Sequence, residues 1–183
     1  MRTEKKPWHM WFGNMFKTSL TPLGVEVHTG YPVMKEPPEA DVIIIRRNQR
    51  DWTSEQLKYL PDGIRDCKAE HIVIEFKYTE SVNEDAFCTA VGYRIFYRRY
   101  HKLRNDQLQA FLISSKTPEE STFKEFGYFS ETQAGIRQSS HSLLKRIPLI
   151  SLNDLPDEPH NAFVKLFATK KGQRLSAIKR FRK

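Results

Sequence analysis

The chain has 183 residues, 39% of them hydrophobic, so it is long and apolar enough to bury one substantial core and is not disordered by composition. Two lone cysteines, Cys67 and Cys88, argue against a zinc ribbon and a disulfide scaffold and fit a reducing compartment; the absence of an 18-residue apolar run and of a signal-peptide pattern before Gly13 and Asn14 makes a soluble cytoplasmic protein the expectation. Residues 170–183 hold seven basic residues and no acidic one, and subtracting those seven from the net charge of +8 leaves +1 for residues 1–169.

In chain order, Trp8, Trp11, Phe12, Met15 and Phe16 recur at i, i+3, i+4, i+7 and i+8. That spacing predicts one apolar face of a helix, ended by Pro22. "VEVHTGYPV" (25–33) begins with alternation and predicts a strand kinked at Gly30. "KEPPEA" (35–40) reads as a loop, because paired prolines do not sit inside a regular element. "DVIIIRR" (41–47) is apolar on both faces, which predicts a strand in the middle of a sheet. Thr53 or Ser54 can cap a short helix through Tyr59, and "PDG" (61–63) is a turn signal. "HIVIEFKY" (71–78) is a second buried strand. Asn83 to His101 reads as a long helix, with Ser81 or Asn83 as N-cap and Glu84 and Asp85 suited to its positive end. "LQAFLISS" (108–115) is a strand, and "EFGYFSE" (125–131) and "IPLISL" (147–152) are shorter ones. Asn161 to Phe167 starts a last helix that could run into the basic tail. This alternation predicts an α/β fold with a mixed central sheet flanked by helices. One domain over 1–169 and a basic tail or helix end over 170–183 is the expected division. The tail reads either as a solvated end or as an arm adding phosphate affinity.

The strand at 71–78 carries charge where its apolar run ends. Side chains alternate along a strand, so Glu75 and Lys77 share a face with Val73, while Ile72, Ile74 and Phe76 take the other. An isolated acid-x-Lys triplet is usually solvated surface. The same pattern at Glu4/Lys6 and Asp66/Lys68 lies in polar surroundings. The third differs, because another apolar strand opens with Asp41. If those strands pair antiparallel, Asp41 approaches Glu75. Two carboxylates and the Phe76 carbonyl then make a hard oxygen site suited to Mg2+ or Mn2+. Such an ion acidifies its water and neutralises charge on a phosphate, and Lys77 beside it can orient the water. The six histidines show no metal-ligand spacing, and no glycine-rich phosphate loop is present.

Asp41 followed by Glu75-Phe76-Lys77 and then a helix resembles the PD-(D/E)xK nuclease superfamily. The stretches "GYPVMKEPPEADVIIIRR", "LPDGIRD", "IVIEFKYTESVNEDA" and "LNDLPDEPHNAFVKLFAT" are similar to its Rpn-type, transposase-associated bacterial members. The resemblance spans residues 20–169. It implies a restriction-endonuclease-like αβββαβ core, a metal held by Asp41, Glu75 and the Phe76 carbonyl, and Lys77 assisting the attacking water. The implied activity is Mg2+- or Mn2+-dependent hydrolysis of DNA phosphodiesters, with double-stranded DNA as partner and a homodimer as a possible assembly. Three features depart from that pattern. The first helix lacks a glutamate, for which Glu26 is a loose substitute; Thr89 stands where a Gln-x-x-x-Tyr motif ending at Tyr93 would have glutamine; and "PDG" offers a literal Pro-Asp in Asp62, ranked below Asp41. The alternative is a nucleic-acid-binding module that keeps the fold without turnover.

Overall fold

The computed structural model describes residues 7–32, 39–46 and 51–181. Val33, Lys35 to Pro38 and Arg47, which were read into a strand end, a loop and a second strand end, lie outside the described residues, as do Glu4 and Lys6. Among the described residues, six α-helices are interspersed with seven strands. They are α1 (Pro7–Leu20), β1 (Val25–Pro32), β2 (Glu39–Arg46), α2 (Ser54–Leu57), β3 (His71–Lys77), α3 (Glu84–Tyr100), β4 (Leu108–Ser114), α4 (Glu120–Glu125), β5 (Ser130–Gln133), β6 (Ile136–Gln138), β7 (Leu149–Ser151), α5 (Ala162–Lys165) and α6 (Lys171–Phe181). The strands form one sheet in the order β1-β2-β3-β4-β7-β6-β5. Its left part, β1-β2-β3, is antiparallel. β3, β4 and β7 run parallel, and β7-β6-β5 return antiparallel. The mixed α/β sheet expected from the alternation is therefore present. No helix of the described residues is long and apolar enough to cross a membrane.

Two cores cover the two faces. On one, α1 lays Phe12, Phe16 and Leu20 against Val27, Val42, Ile44, Ile72, Ile74 and Phe76. Phe12 stacks on Phe76 with ring centroids 4.0 Å apart and planes at 12°, and meets Phe16 and Phe167 edge-on. Trp8 and Met15 flank this face, whereas Trp11 is 64% exposed. The i, i+4, i+8 row, extended to Leu20, is the buried stripe, and Trp11 falls outside it. On the other face, α3 packs Ala86, Phe87, Ala90, Tyr93 and Tyr97 against Ile43, Val73 and Leu112. Asn83 caps α3 by accepting a hydrogen bond from the Ala86 N–H at 3.1 Å.

Gly13 shows how closely α1 approaches the sheet. A Cβ at that position would overlap the Thr29 methyl and lie 3.7 Å from Val42 Cγ2. Gly13→Ala is expected to destabilise the fold by about 1–3 kcal/mol, the cost of overpacking against a sheet that cannot recede. Urea unfolding of the variant beside the wild type measures this. An unchanged midpoint would mean that α1 stands off the sheet.

Several sequence expectations need correction. Glu39 and Ala40 belong to β2 and not to the preceding loop. "EFGYFSE" does not form a strand throughout: α4 runs to Glu125, Gly127 takes φ +70, and pairing begins at Ser130. Asn161 to Phe167 is not one helix entering the tail. A 3-10 turn over Pro159–Asn161 leads into the four-residue α5, and α6 starts separately at Lys171. The tail is therefore largely a helix of its own, with Ala177 fully buried and Arg174 donating to the carbonyls of Ala168 and Thr169, each at 2.7 Å.

Candidate active site

The site lies where the β2–β3 ladder ends. The β2–β3 pairs run from Ile45↔His71 to Val42↔Ile74, and one further step in this antiparallel register sets Asp41 opposite Glu75. Alternation places both on the face of Ile43 and Val73, beneath α3. Both residues are 6% exposed. The Phe76 N–H donates to Asp41 Oδ2 at 2.8 Å, so the carboxylate takes the place of the next ladder carbonyl. The expected adjacency of the two strands and of Asp41 to the Glu75–Lys77 segment holds.

Backbone geometry also orients the Phe76 carbonyl. The Lys77 carbonyl accepts from Ser115 N–H at 2.9 Å and so faces β4. Successive residues of a strand direct their backbone groups to alternate edges, and the N–H and C=O of one residue share an edge. The Phe76 carbonyl therefore faces the β2 edge, beside Asp41. Its side chain, locked between Phe12 and Trp8, fixes this stretch of backbone.

Lys77 Nζ lies 2.8 Å from Glu75 Oε1 and 3.7 Å from Glu80 Oε2. Burial alone would lower its pKa. The carboxylates of Glu75, Glu80 and Asp41 outweigh that effect and raise it above the ordinary value of 10.5, so Lys77 is an ammonium at neutral pH. Tyr93 enters from α3. Its phenol pKa is raised by burial and by the negative charges of Glu75, Asp41 and Glu39. Three carboxylates thus act on one buried point. Glu39 was missed because the prolines before it suggested a loop; two residues before Asp41 on the same strand, it was legible by alternation alone.

Gly30 lies opposite Asp41 on the other side of β2, between the pairs Thr29↔Val42 and Tyr31↔Ala40. Its φ of +62 produces the kink expected there and leaves that position without a side chain.

The remaining candidates lie elsewhere. Glu26 pairs in register with Ile45, four residues from the Gly30 position and so about 13 Å along the strand. Its carboxylate meets His28 Nε2 at 2.7 Å, and it does not substitute for a helix glutamate. Asp62 is a clasp. One oxygen meets His160 Nε2 at 2.7 Å, the other accepts from Asn161 Nδ2 at 2.8 Å, and the Asp62 N–H donates back to Asn161 Oδ1 at 2.9 Å. The literal Pro-Asp therefore ties its turn to the segment before α5. His71 bonds Tyr97 and lies beside His101. Burial, then the His101 charge, lowers its pKa. Thr89 offers no amide.

Among the described residues, no group of three or more His, Cys, Asp or Glu side chains is placed to hold a metal ion. The groups that could hold a cation here are two buried carboxylates, Asp41 and Glu75, with the Phe76 carbonyl. These are hard oxygens, which as a type bind Mg2+ or Mn2+ in preference to a soft metal. Comparison with protein-family models, with curated proteins and with solved structures gave no match.

Proposed function

We propose that this protein is a metal-dependent nuclease of the PD-(D/E)xK type, hydrolysing phosphodiester bonds of nucleic acid, with double-stranded DNA the substrate favoured by the resemblance. The carrying observation is the meeting of Asp41, Glu75 and Lys77 at the open end of the β2–β3 ladder. The order α1-β1-β2-β3-α3-β4, with the four-residue α2 inserted between β2 and β3, supports the αβββαβ core that this reading requires. Asp41, Glu75 and the Phe76 carbonyl are the residues that would hold Mg2+ or Mn2+. When bound, such an ion would supply an acidified water and neutralise charge on the phosphate.

The protein's own residues divide the remaining work. Lys77, held protonated by the acids around it in the metal-free protein, serves as a donor and a fixed positive charge. It can orient water and stabilise the phosphate oxygens as charge builds on them. Tyr93, likewise protonated at neutral pH, lies within the field of the same carboxylates. Phe76, anchored in the core, keeps Glu75 and Lys77 in register, so their geometry does not depend on a mobile loop.

A second reading, a binding module without turnover, is favoured by two observations. α1 has no acidic residue, and Thr89 stands one helical turn before Tyr93 in place of an amide. End-labelled DNA and RNA duplexes incubated with the protein in Mn2+, with binding measured separately in chelator, distinguish the readings. Metal-dependent cleavage is the expected result. Binding in chelator with no cleavage of either duplex would select the binding module.

A further inference from the structure

The second half of α3 and the turn after it are strongly basic. Residues 91–105 contain Arg94, Arg98, Arg99, Lys102 and Arg104 and no acid. Two of these arginines are not ordinary solvated surface. The Nε atoms of Arg94 and Arg98 are buried and have no hydrogen-bond partner. Arg94 reaches one neutral acceptor, Asn105 Oδ1, at 3.1 Å. Arg146, in the turn before β7, stands close enough to repel it: burial, then the charges of Arg146 and Arg98, lowers the Arg94 pKa. Among the described residues, none of the three makes an ion pair. Asp106, the acid nearest Arg98 along the chain, is committed to Arg104 through both oxygens at 3.2 Å.

A guanidinium has five N–H donors and no acceptor, so three close together favour oxygen acceptors, and anionic oxygens above neutral ones. Like charges held together without a counter-charge are costly, and an anion among them removes that cost. Arg94 and Arg98 are one turn apart, about 6 Å along the helix axis. Their planar forks match the tetrahedral, multiply accepting oxygens of a phosphate better than ammonium groups would. Arg146 is exposed, which leaves its side of the group open to solvent, and it lines a cavity of about 390 Å³ together with Asn105, the residue that Arg94 reaches.

We propose that Arg94, Arg98 and Arg146 form an anion site that takes the phosphodiester backbone of nucleic acid. The choice of ligand rests on the nucleic-acid reading above, but the site does not depend on cleavage. It sits on α3, the same helix that presents Tyr93 to Asp41 and Glu75, so a duplex gripped here is tied to the element that covers the candidate site.

The test is fluorescence anisotropy of labelled DNA and RNA duplexes of equal length with the full chain, in chelator, between 50 and 200 mM salt. Each lost phosphate contact should flatten the slope of log K against log salt by about 0.9. Arg94→Gln with Arg98→Gln should therefore weaken binding roughly tenfold and reduce the slope by about 1–2, and Arg146→Gln by about 1. Arg94→Lys keeps the charge and loses the fork. It should retain the slope and lose a few-fold in affinity, and it carries the test with Arg146→Gln if the double variant fails to fold. Arg99→Gln, an exposed site on the same helix, should change little. The proposal is overturned by an unchanged slope in the glutamine variants, by an equal loss in Arg99→Gln, or by a wild type that binds neither duplex. Loss of binding in the variants beside a wild type that never cleaves would leave this site standing and remove the nuclease reading alone.

Discussion

Lys77→Ala is expected to lower the single-turnover cleavage rate by about 10² to 10³, the loss associated with removing one donor aimed at developing charge. Mn2+ affinity should stay within a few-fold of wild type or tighten, because the ion is held by oxygens and the ammonium competes for Glu75 Oε1 at 2.8 Å. Glu75→Ala should lose both cleavage and metal affinity, since it removes a ligand. The same ion pair has a stability consequence. Lys77 has a raised folded-state pKa, so its stabilising contribution is complete below the ordinary value of 10.5 and is lost as pH rises through the folded value. Removing Lys77 leaves Glu75 buried without that cation. The metal-free variant should therefore melt lower than wild type and recover when Mn2+ is added. Thermal melts with and without Mn2+, run beside the cleavage assay, separate a positioning role from a purely structural one. A variant that melts lower, is rescued by metal and still cuts at the wild-type rate would remove Lys77 from the chemistry.

Phe12→Ala is expected to cost about 3–5 kcal/mol, the range for deleting a buried aromatic ring that neighbours cannot refill. Phe12 is 1% exposed and touches Phe16, Phe76 and Phe167, which come from three separate segments. The effect should reach the site, because the Phe76 ring is the anchor between Glu75 and Lys77. Phe12→Leu keeps most of the volume and should cost much less. Denaturant unfolding of both variants provides the measurement. A loss below about 1 kcal/mol for Phe12→Ala would show that α1 is not integral to this core.

The pairing that builds the site was legible because it rests on strong local signals. Two apolar runs, each too hydrophobic for an edge, had to lie inside the sheet, and alternation then set the charges of Glu75 and Lys77 on one side. Gly30 and Asn83 were legible for a similar reason: a kink and an N-cap each need a particular residue type. The failures came where tertiary contacts decide. Glu39 and Ala40 extend β2 because β1 offers a partner, which overrides the nearby prolines. Asp62 carried the motif's literal spelling, yet its oxygens are spent on His160 and Asn161, almost a hundred residues away in sequence, a contact no local pattern encodes. The charge of the last segment was plain. A helix end was one reading of it; that it forms a separate helix seated by Arg174 and Ala177 was not legible, because its apolar positions are few and two of them, Leu175 and Ile178, remain exposed.

The grouping of Asp41, Glu75 and Lys77 as one hydrolytic site is tested most directly by a time course on supercoiled plasmid with wild type and Lys77→Ala, in Mn2+ and in chelator. The account predicts nicked and then linear DNA from the wild type in Mn2+, no products in chelator, and residual products only from Lys77→Ala. Products that form equally in chelator, or at the wild-type rate from Lys77→Ala, would contradict it.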